Sequence, residues 1–370
     1  VPKPAFTAVI DALPETIPFV GPEALERRSG TAFRARIGAN ESGFGPSPKV
    51  IAAIAEAAQQ IWCYPDPENH DLKSALAAHL GVDADEVTVG EGIDGLLGLA
   101  VHLFISPGDV VVSSLGAYPT FNYHVAAFGG DLQLVPYAGT QEDPIALAAK
   151  AREANARIVY LANPDNPMGS YWPAEAINAF IQSVPETCLV ILDEAYGETA
   201  PAGTLPAIDT TQSNLLRFRT FSKAYGMAGM RVGYAFGNTR LVNAFNRVRN
   251  HFGVNRLAQA AALAALSDQD YLAATVSAMA EARDRIATIA QTNGLRALPS
   301  ATNFVAVDCG RDGDYAALVL AELAQRGVFI RKPMTRGLDH HIRISAAPQA
   351  ELDILAKTLP EALRAAYGAG

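Results

Sequence analysis

Between about residues 85 and 260, short apolar runs alternate with longer stretches of helical periodicity. The runs predict strands at Glu86–Val89, Val110–Ser113, Leu132–Pro136, Arg157–Leu161, Leu189–Leu192, Leu215–Thr220 and Val232–Phe236. In Cys188-Leu189-Val190-Ile191-Leu192 both alternating faces are apolar. A strand covered by helices on both sides has that pattern, whereas a half-exposed strand alternates. Ala- and Leu-rich segments such as Asp94–Phe104 and Ala174–Ser183 supply the helices between strands. The order predicts an α/β fold, with a mostly parallel seven-stranded sheet between helix layers. Ligands of such sheets bind at the carboxyl ends of the strands.

The last third changes character. A long helical stretch from Asp268 to Thr292 is followed by short strands at Asn303–Asp308, Gly327–Arg331 and His341–Ser345. Helices near Tyr315–Gln325 and Ala350–Tyr367 complete a smaller α+β unit. The first 47 residues are rich in Pro and Gly and weakly periodic. The expected organisation is an N-terminal segment, 1–47, that joins the small domain. A large ligand-binding domain, 48–260, and a small C-terminal domain, 261–370, follow.

Composition narrows the function classes. The 370 residues are 49% hydrophobic and 18% charged, ordinary for a globular chain with a large core. With 29 basic and 38 acidic residues the net charge is −9, which disfavours a nucleic-acid or anionic-membrane surface. Cys63, Cys188 and Cys309 lie far apart without metal-ligand spacing, so neither a metal site nor a disulfide framework is expected. No apolar run is long enough to span a membrane, and no leader pattern opens the chain. The expected compartment is the reducing cytoplasm.

The candidate chemistry falls at strand ends. Lys223 stands in Thr220-Phe221-Ser222-Lys223-Ala224-Tyr225-Gly226, with Arg231 eight positions on. A lysine kept dry can form a Schiff base with an aldehyde, and the neighbouring hydroxyls and arginine suit a phosphate. A phosphorylated aldehyde cofactor means pyridoxal 5′-phosphate (PLP). Asp193 follows the buried strand in Asp193-Glu194-Ala195-Tyr196. A carboxylate there is costly unless it meets a cation, and a protonated pyridine nitrogen is one. It could equally cap a helix. The rigid turn Asn163-Pro164-Asp165-Asn166-Pro167-Met168-Gly169 can aim an amide at a ligand. Gly90-Glu91-Gly92-Ile93-Asp94-Gly95 opens a helix whose N-terminus can receive a phosphate, although a glycine loop alone is a weak sign. An aromatic from Ala117-Tyr118-Pro119-Thr120-Phe121 can stack on a flat ring. Arg343 alternates with apolar neighbours in His341-Ile342-Arg343-Ile344-Ser345, and its fork fits a carboxylate.

Taken in order, these segments resemble the fold-type I PLP aminotransferases of class I and II, and most of all the histidinol-phosphate aminotransferase branch. Asn40-Glu41-Ser42-Gly43-Phe44-Gly45-Pro46-Ser47-Pro48 and Tyr64-Pro65-Asp66 are similar to that branch, with Gly43 where proline is usual. The resemblance implies that Lys223 carries the cofactor and shuttles the proton. It implies that Asp193 pairs with the ring nitrogen, and that Asn166 and Tyr196 donate to its phenolic oxygen. Thr220, Ser222 and Arg231, with backbone N–H groups from Gly92, Ile93 and Asp94, would hold the phosphate. Phe121 falls where the family places its stacking tyrosine. Tyr64 matches a tyrosine that reaches the neighbouring subunit's cofactor, which implies a homodimer with shared active sites. Arg343 matches the arginine that grips the α-carboxylate.

Arg331, Phe19 and Asn40 are the further candidates for substrate contacts. Phe19 stands where the branch has a tyrosine, and a phenyl ring cannot donate to a phosphate. The amino donor is therefore left between histidinol phosphate and an aromatic or other L-amino acid, the acceptor being a 2-oxo acid such as 2-oxoglutarate. Arg336, His340 and His341 have no assigned role. The alternative reaction on these motifs is decarboxylation of the phosphothreonine type. A non-enzymatic PLP sensor would need a DNA-binding module, and none is read here.

Overall fold

A computed structural model describes residues 4–15 and 20–369. Its strands are β1 (Ala35–Arg36), β2 (Val87–Gly90), β3 (Val110–Ser114), β4 (Asp131–Val135), β5 (Ile158–Ala162), β6 (Leu189–Asp193), β7 (Leu215–Thr220), β8 (Gly233–Gly237), β9 (Arg296–Ala297), β10 (Phe304–Asp308), β11 (Val328–Phe329) and β12 (His341–Ser345). The central sheet has seven strands in the order β2-β8-β7-β6-β5-β3-β4. From β7 to β4 all pairs are parallel, and β8 alone runs against its neighbours.

Two-sided burial follows directly from the apolar runs. Ile158, Tyr160, Leu189 and Ile191 join Leu96, Leu97, Val101 and Val125 from helices Gly92–Phe104 and Pro119–Ala127. The alternate residues Val159, Leu161, Val190 and Leu192 meet Leu147, Ala151, Ile177 and Phe180 from helices Pro144–Glu153 and Ala174–Ser183 on the other face. Burial of each such side chain is worth about 1.5–3 kcal/mol, and the alternation fixes the register. The seven strand expectations fall within a residue or so of the observed limits.

Parallel strands put the chemistry at one end. The carboxyl ends of β2, β3, β5, β6 and β7 and the amino end of β8 share one edge of the sheet. Gly92, Tyr118, Asn166, Asp193, Lys223 and Arg231 all follow or precede those ends by a few residues.

A three-stranded antiparallel sheet, β12-β10-β9, packs with helices Gln269–Thr292, Gly313–Gln325 and Gln349–Ala369 around a separate apolar core. Ala35 and Ile37 belong to that core. The strand expected at Gly327–Arg331 departs from the reading. It is only Val328–Phe329, and it pairs in parallel with Ala35–Arg36, not with the three-stranded sheet. Alternation cannot say which partner a strand will choose, and here the partner comes from the N-terminal segment. Beyond it, Arg331 forms a single bridge to Arg343. The N-terminal segment also passes so close to the Lys223 turn that a Cβ at Gly226 would stand 2.4 Å from Gly45 O. Gly226 lies at φ +70°, which together with that contact requires glycine.

Candidate active site

Lys223 follows β7, and its Nζ donates to Asn40 O at 3.2 Å while lying 5.6 Å from the ring centroid of Tyr196. Burial, with Arg343 and Arg231 nearby, lowers its pKa to about 8. The amine is thus partly neutral near neutral pH.

Asp193 ends β6. Its Oδ2 accepts from the Tyr160 hydroxyl at 2.7 Å and its Oδ1 from Ala195 N at 2.9 Å. Burial raises this carboxyl to about 6. Among the described residues no cationic side chain pairs with it. Sequence reading missed Tyr160, because inside a fully apolar run a tyrosine looks like core.

Asn40 Nδ2 donates to the Tyr196 hydroxyl at 3.0 Å, and the Asn40 backbone lies in the left-handed region at φ 56°. Arg343 Nη1 donates to Asn166 Oδ1 at 2.6 Å, which leaves Asn166 Nδ2 as the donor available to a ligand. The Arg343 guanidinium sits 5.2 Å from the Phe304 ring centroid, and burial lowers its pKa to about 10. Arg331 Nη2 donates to Val20 O at 3.0 Å. Lys223, Tyr196, Asn166, Asn40 and Arg343 are therefore brought together, by contact or through one shared neighbour, and Asp193 lies within electrostatic reach of Tyr196.

An anion cradle adjoins them. Helix Gly92–Phe104 begins without a side-chain cap, so its first N–H groups are free for a ligand. Arg231 Nη1 lies 3.4 Å from Ser222 Oγ, and Arg231 Nη2 is 3.9 Å from Asp94 Oδ2. Thr220 Oγ1 donates to Ser222 Oγ at 2.9 Å, so it stands one step behind. At Gly92, φ +78°, a Cβ would approach Arg231 Nη2 to 2.7 Å, and glycine keeps the cradle open. Gly90, Gly92 and Gly95 have the literal G-x-G-x-x-G spacing. However, β2 is an edge strand antiparallel to β8, not the parallel strand of a dinucleotide-binding unit.

Three candidates do not join this cluster. Phe121 is a correction: it is fully buried and stacks on Tyr160 with centroids 4.7 Å apart and planes at 17°. Helix Pro119–Ala127 turns its third residue into the core, whereas Tyr118 at the N-cap stays at the rim. The Tyr118 hydroxyl donates to Asp94 Oδ2 at 3.1 Å, and its pKa is raised by burial and then by Asp94 and Tyr196. Tyr64 is 77% exposed and rests on Phe252, outside the chain's own cluster. Phe19 lies outside the described residues.

A dry amine, an anion cradle, a buried carboxylate in want of a cation and two polar donors fit one ligand, PLP. Residues 36–359 match the family model described as Aminotransferase class I and II. The chain belongs to the class I and II aminotransferases. It is 40% identical over 334 residues to histidinol-phosphate aminotransferase 2 of Pseudomonas fluorescens, covering 88% of this chain and 89% of that protein. It is 34% identical over 345 residues to the histidinol-phosphate aminotransferase of Moorella thermoacetica, covering 92% and 88%. The crystal structure of histidinol-phosphate aminotransferase from Sinorhizobium meliloti in complex with pyridoxal-5′-phosphate superposes with a TM-score of 0.94 at 56% identity, over 97% of this chain and 98% of that one. This aminotransferase has the fold-type I architecture and uses PLP. Amino-group transfer is its reaction, and decarboxylation is not favoured.

Proposed function

We propose that the enzyme moves an amino group between histidinol phosphate and a 2-oxo acid such as 2-oxoglutarate, with Lys223 as the reacting amine. The observation that carries this reading is the enclosed Lys223 amine, with its lowered pKa, beside Tyr196 and within the field of Arg343. PLP, when bound, supplies an electrophilic aldehyde and an electron-withdrawing ring. Lys223 would offer its neutral amine to the aldehyde and, in the transfer, take the donor's α-proton and deliver it to the cofactor's aldehyde carbon. Asp193 holds a protonated ring nitrogen, a role that its burial without a cation favours. Tyr196 and Asn166 direct an O–H and an N–H to the phenolic oxygen. Ser222, Arg231 and the N–H groups of Gly92, Ile93 and Asp94 hold the phosphate, with Thr220 orienting Ser222. Tyr118 takes the stacking role expected of Phe121.

Arg343 clamps the acceptor's α-carboxylate, and Arg331, bridged to it through the backbone, serves the phosphate end of the donor. Asn40 acts on substrate through Tyr196. The relatives' names support histidinol phosphate. Phe121 lies in the core, so it offers no apolar wall to an aromatic donor. We read the exposed group Ile61, Trp62, Tyr64 and Phe252 as a homodimer surface that sends Tyr64 toward the partner's phosphate cradle. The domain limits 48–260 and 261–370 and a cytoplasmic location are part of the same reading. The three free cysteines suit a reducing compartment.

A half-reaction screen tests the substrate. The PLP form is mixed with histidinol phosphate, phenylalanine, tyrosine and aliphatic donors, and pyridoxamine phosphate is measured. Rapid conversion with histidinol phosphate alone is expected. An inert histidinol phosphate beside a reactive phenylalanine overturns the proposal.

A further inference from the structure

A second constellation lies in the small sheet and plays no part in the transfer reaction. The antiparallel register of β10 and β12 sets Asp308 opposite His341, so both side chains leave the same face. His340 precedes His341, with ring centroids 4.1 Å apart. One potential ligand atom from each of Asp308, His340 and His341 lies within 4.8 Å of the others. His341 is fully buried, and its Nδ1 lies 3.0 Å from Leu338 O. A carbonyl oxygen only accepts, so Nδ1 carries the proton and Nε2 keeps its lone pair. That Nε2 is buried and has no hydrogen-bond partner. An imidazole anchored through Nδ1–H to a carbonyl, with Nε2 bare, is how proteins prepare a histidine for a metal.

We propose that Asp308, His340 and His341 form a binding site for a divalent transition ion of the zinc type. Two imidazoles and one carboxylate suit such an ion, whereas calcium and magnesium favour oxygen throughout. Three protein ligands leave a fourth position for water. Zinc ligands about 2.0–2.2 Å from the metal stand roughly 3.4 Å from one another, and rotation of the half-buried Asp308 and His340 closes the remaining span. Asp308 Oδ1 accepts from Gly310 N at 2.8 Å, which orients the carboxylate. Its Oδ2 pairs with Arg296 at 2.9 Å, and the metal must displace that contact. Arg296 is 69% exposed and can turn to solvent. An ion here ties β10 to β12 two residues from Arg343, outside the reacting groups.

The test uses the holoenzyme, stripped of metal by a chelator and freed of amino donors. Co2+ is titrated by its visible d–d bands and Zn2+ by calorimetry, for the native protein, His340→Ala and Asp308→Asn. Both substitutions fall at half-buried positions, so the variants should melt like the native protein when metal-free. A single ion per chain with four-coordinate bands is expected, with affinity lowered at least about tenfold in each variant. Zn2+ should raise the melting temperature of the native protein alone. The proposal is overturned if the native protein shows no saturable Co2+ spectrum. It is equally overturned if both variants bind as tightly as the native protein, which would put the ion at the cofactor phosphate or elsewhere.

Discussion

The Tyr160 hydroxyl donates a 2.7 Å hydrogen bond to Asp193 Oδ2, and Phe121 stacks on the Tyr160 ring. The buried carboxylate is thus held by a phenol that the core itself fixes. Replacing Tyr160 by Phe should leave the fold intact and remove that donor, lowering kcat by roughly tenfold, the worth of about 1.5 kcal/mol for a hydrogen bond to a charged group. Asp193→Asn should cost more, about 10²–10³-fold, the usual cost of removing one electrostatic partner of a reacting group. Single-turnover rates with a saturating amino donor check both. An Asp193→Asn enzyme of native rate would exclude the ring-nitrogen role.

Phe121 and Tyr118 should separate cleanly. Phe121→Ala opens a cavity in the core and should lower stability by about 3–5 kcal/mol. Tyr118→Ala should unfold near the native midpoint but release PLP more readily. Denaturant melts and equilibrium PLP binding distinguish them, and comparable cofactor affinity in Tyr118→Ala would show that the stacking assignment is wrong.

Arg343→Lys keeps the charge and loses the planar fork that also holds Asn166. It should raise KM for the 2-oxo acid and lower kcat/KM by roughly 10–150-fold, equivalent to about 1.5–3 kcal/mol. Steady-state kinetics with 2-oxoglutarate measures this.

The Lys223 amine should show its lowered pKa before cofactor binds. In cofactor-free protein the rate of PLP capture should rise with pH and level off with a midpoint near 8. Lys223→Ala should bind PLP only weakly and lack the visible band of lysine-bound cofactor. A midpoint near 10 would mean that the pocket does not keep the amine dry.

Behind Asn166 lie two further buried carboxyls. Glu142 Oε2 accepts from Ser114 Oγ at 2.5 Å, and Asp165 Oδ1 accepts from the Tyr137 hydroxyl at 2.8 Å. Burial raises both, Asp165 to about 7; Asp165 further disfavours ionisation of Glu142, whereas hydrogen bonds from Tyr137, Met168 N and Glu142 favour ionisation of Asp165. A carboxyl whose pKa is raised on folding stabilises the protein most below its unfolded pKa, and that contribution is lost as pH rises through the folded value. Stability should therefore fall between about pH 4 and 7 through this pair. Glu142→Gln removes one of the two raised carboxyls and should flatten the decline. Melting temperatures at intervals across that range decide it, and an unchanged slope in Glu142→Gln would exclude the pair as its source.

The sequence by itself determined the layers and marked the residues proposed to react. Apolar runs such as Leu189–Leu192 are buried on both faces wherever they pair, so the central strands were legible from the pattern. Asp193, Lys223 and Asn166 stood out because each is costly or unusual directly after such a run. The tertiary structure decided what local pattern cannot carry. It turned Phe121 inward and Tyr118 outward, a difference of helix phase at the N-cap. It gave the strand at Val328 a partner from Ala35–Arg36, hundreds of residues earlier. It brought Arg343 onto Asn166 and His341 beside Asp308, because strand register and chain crossover, unlike hydrophobic period, depend on the whole chain at once.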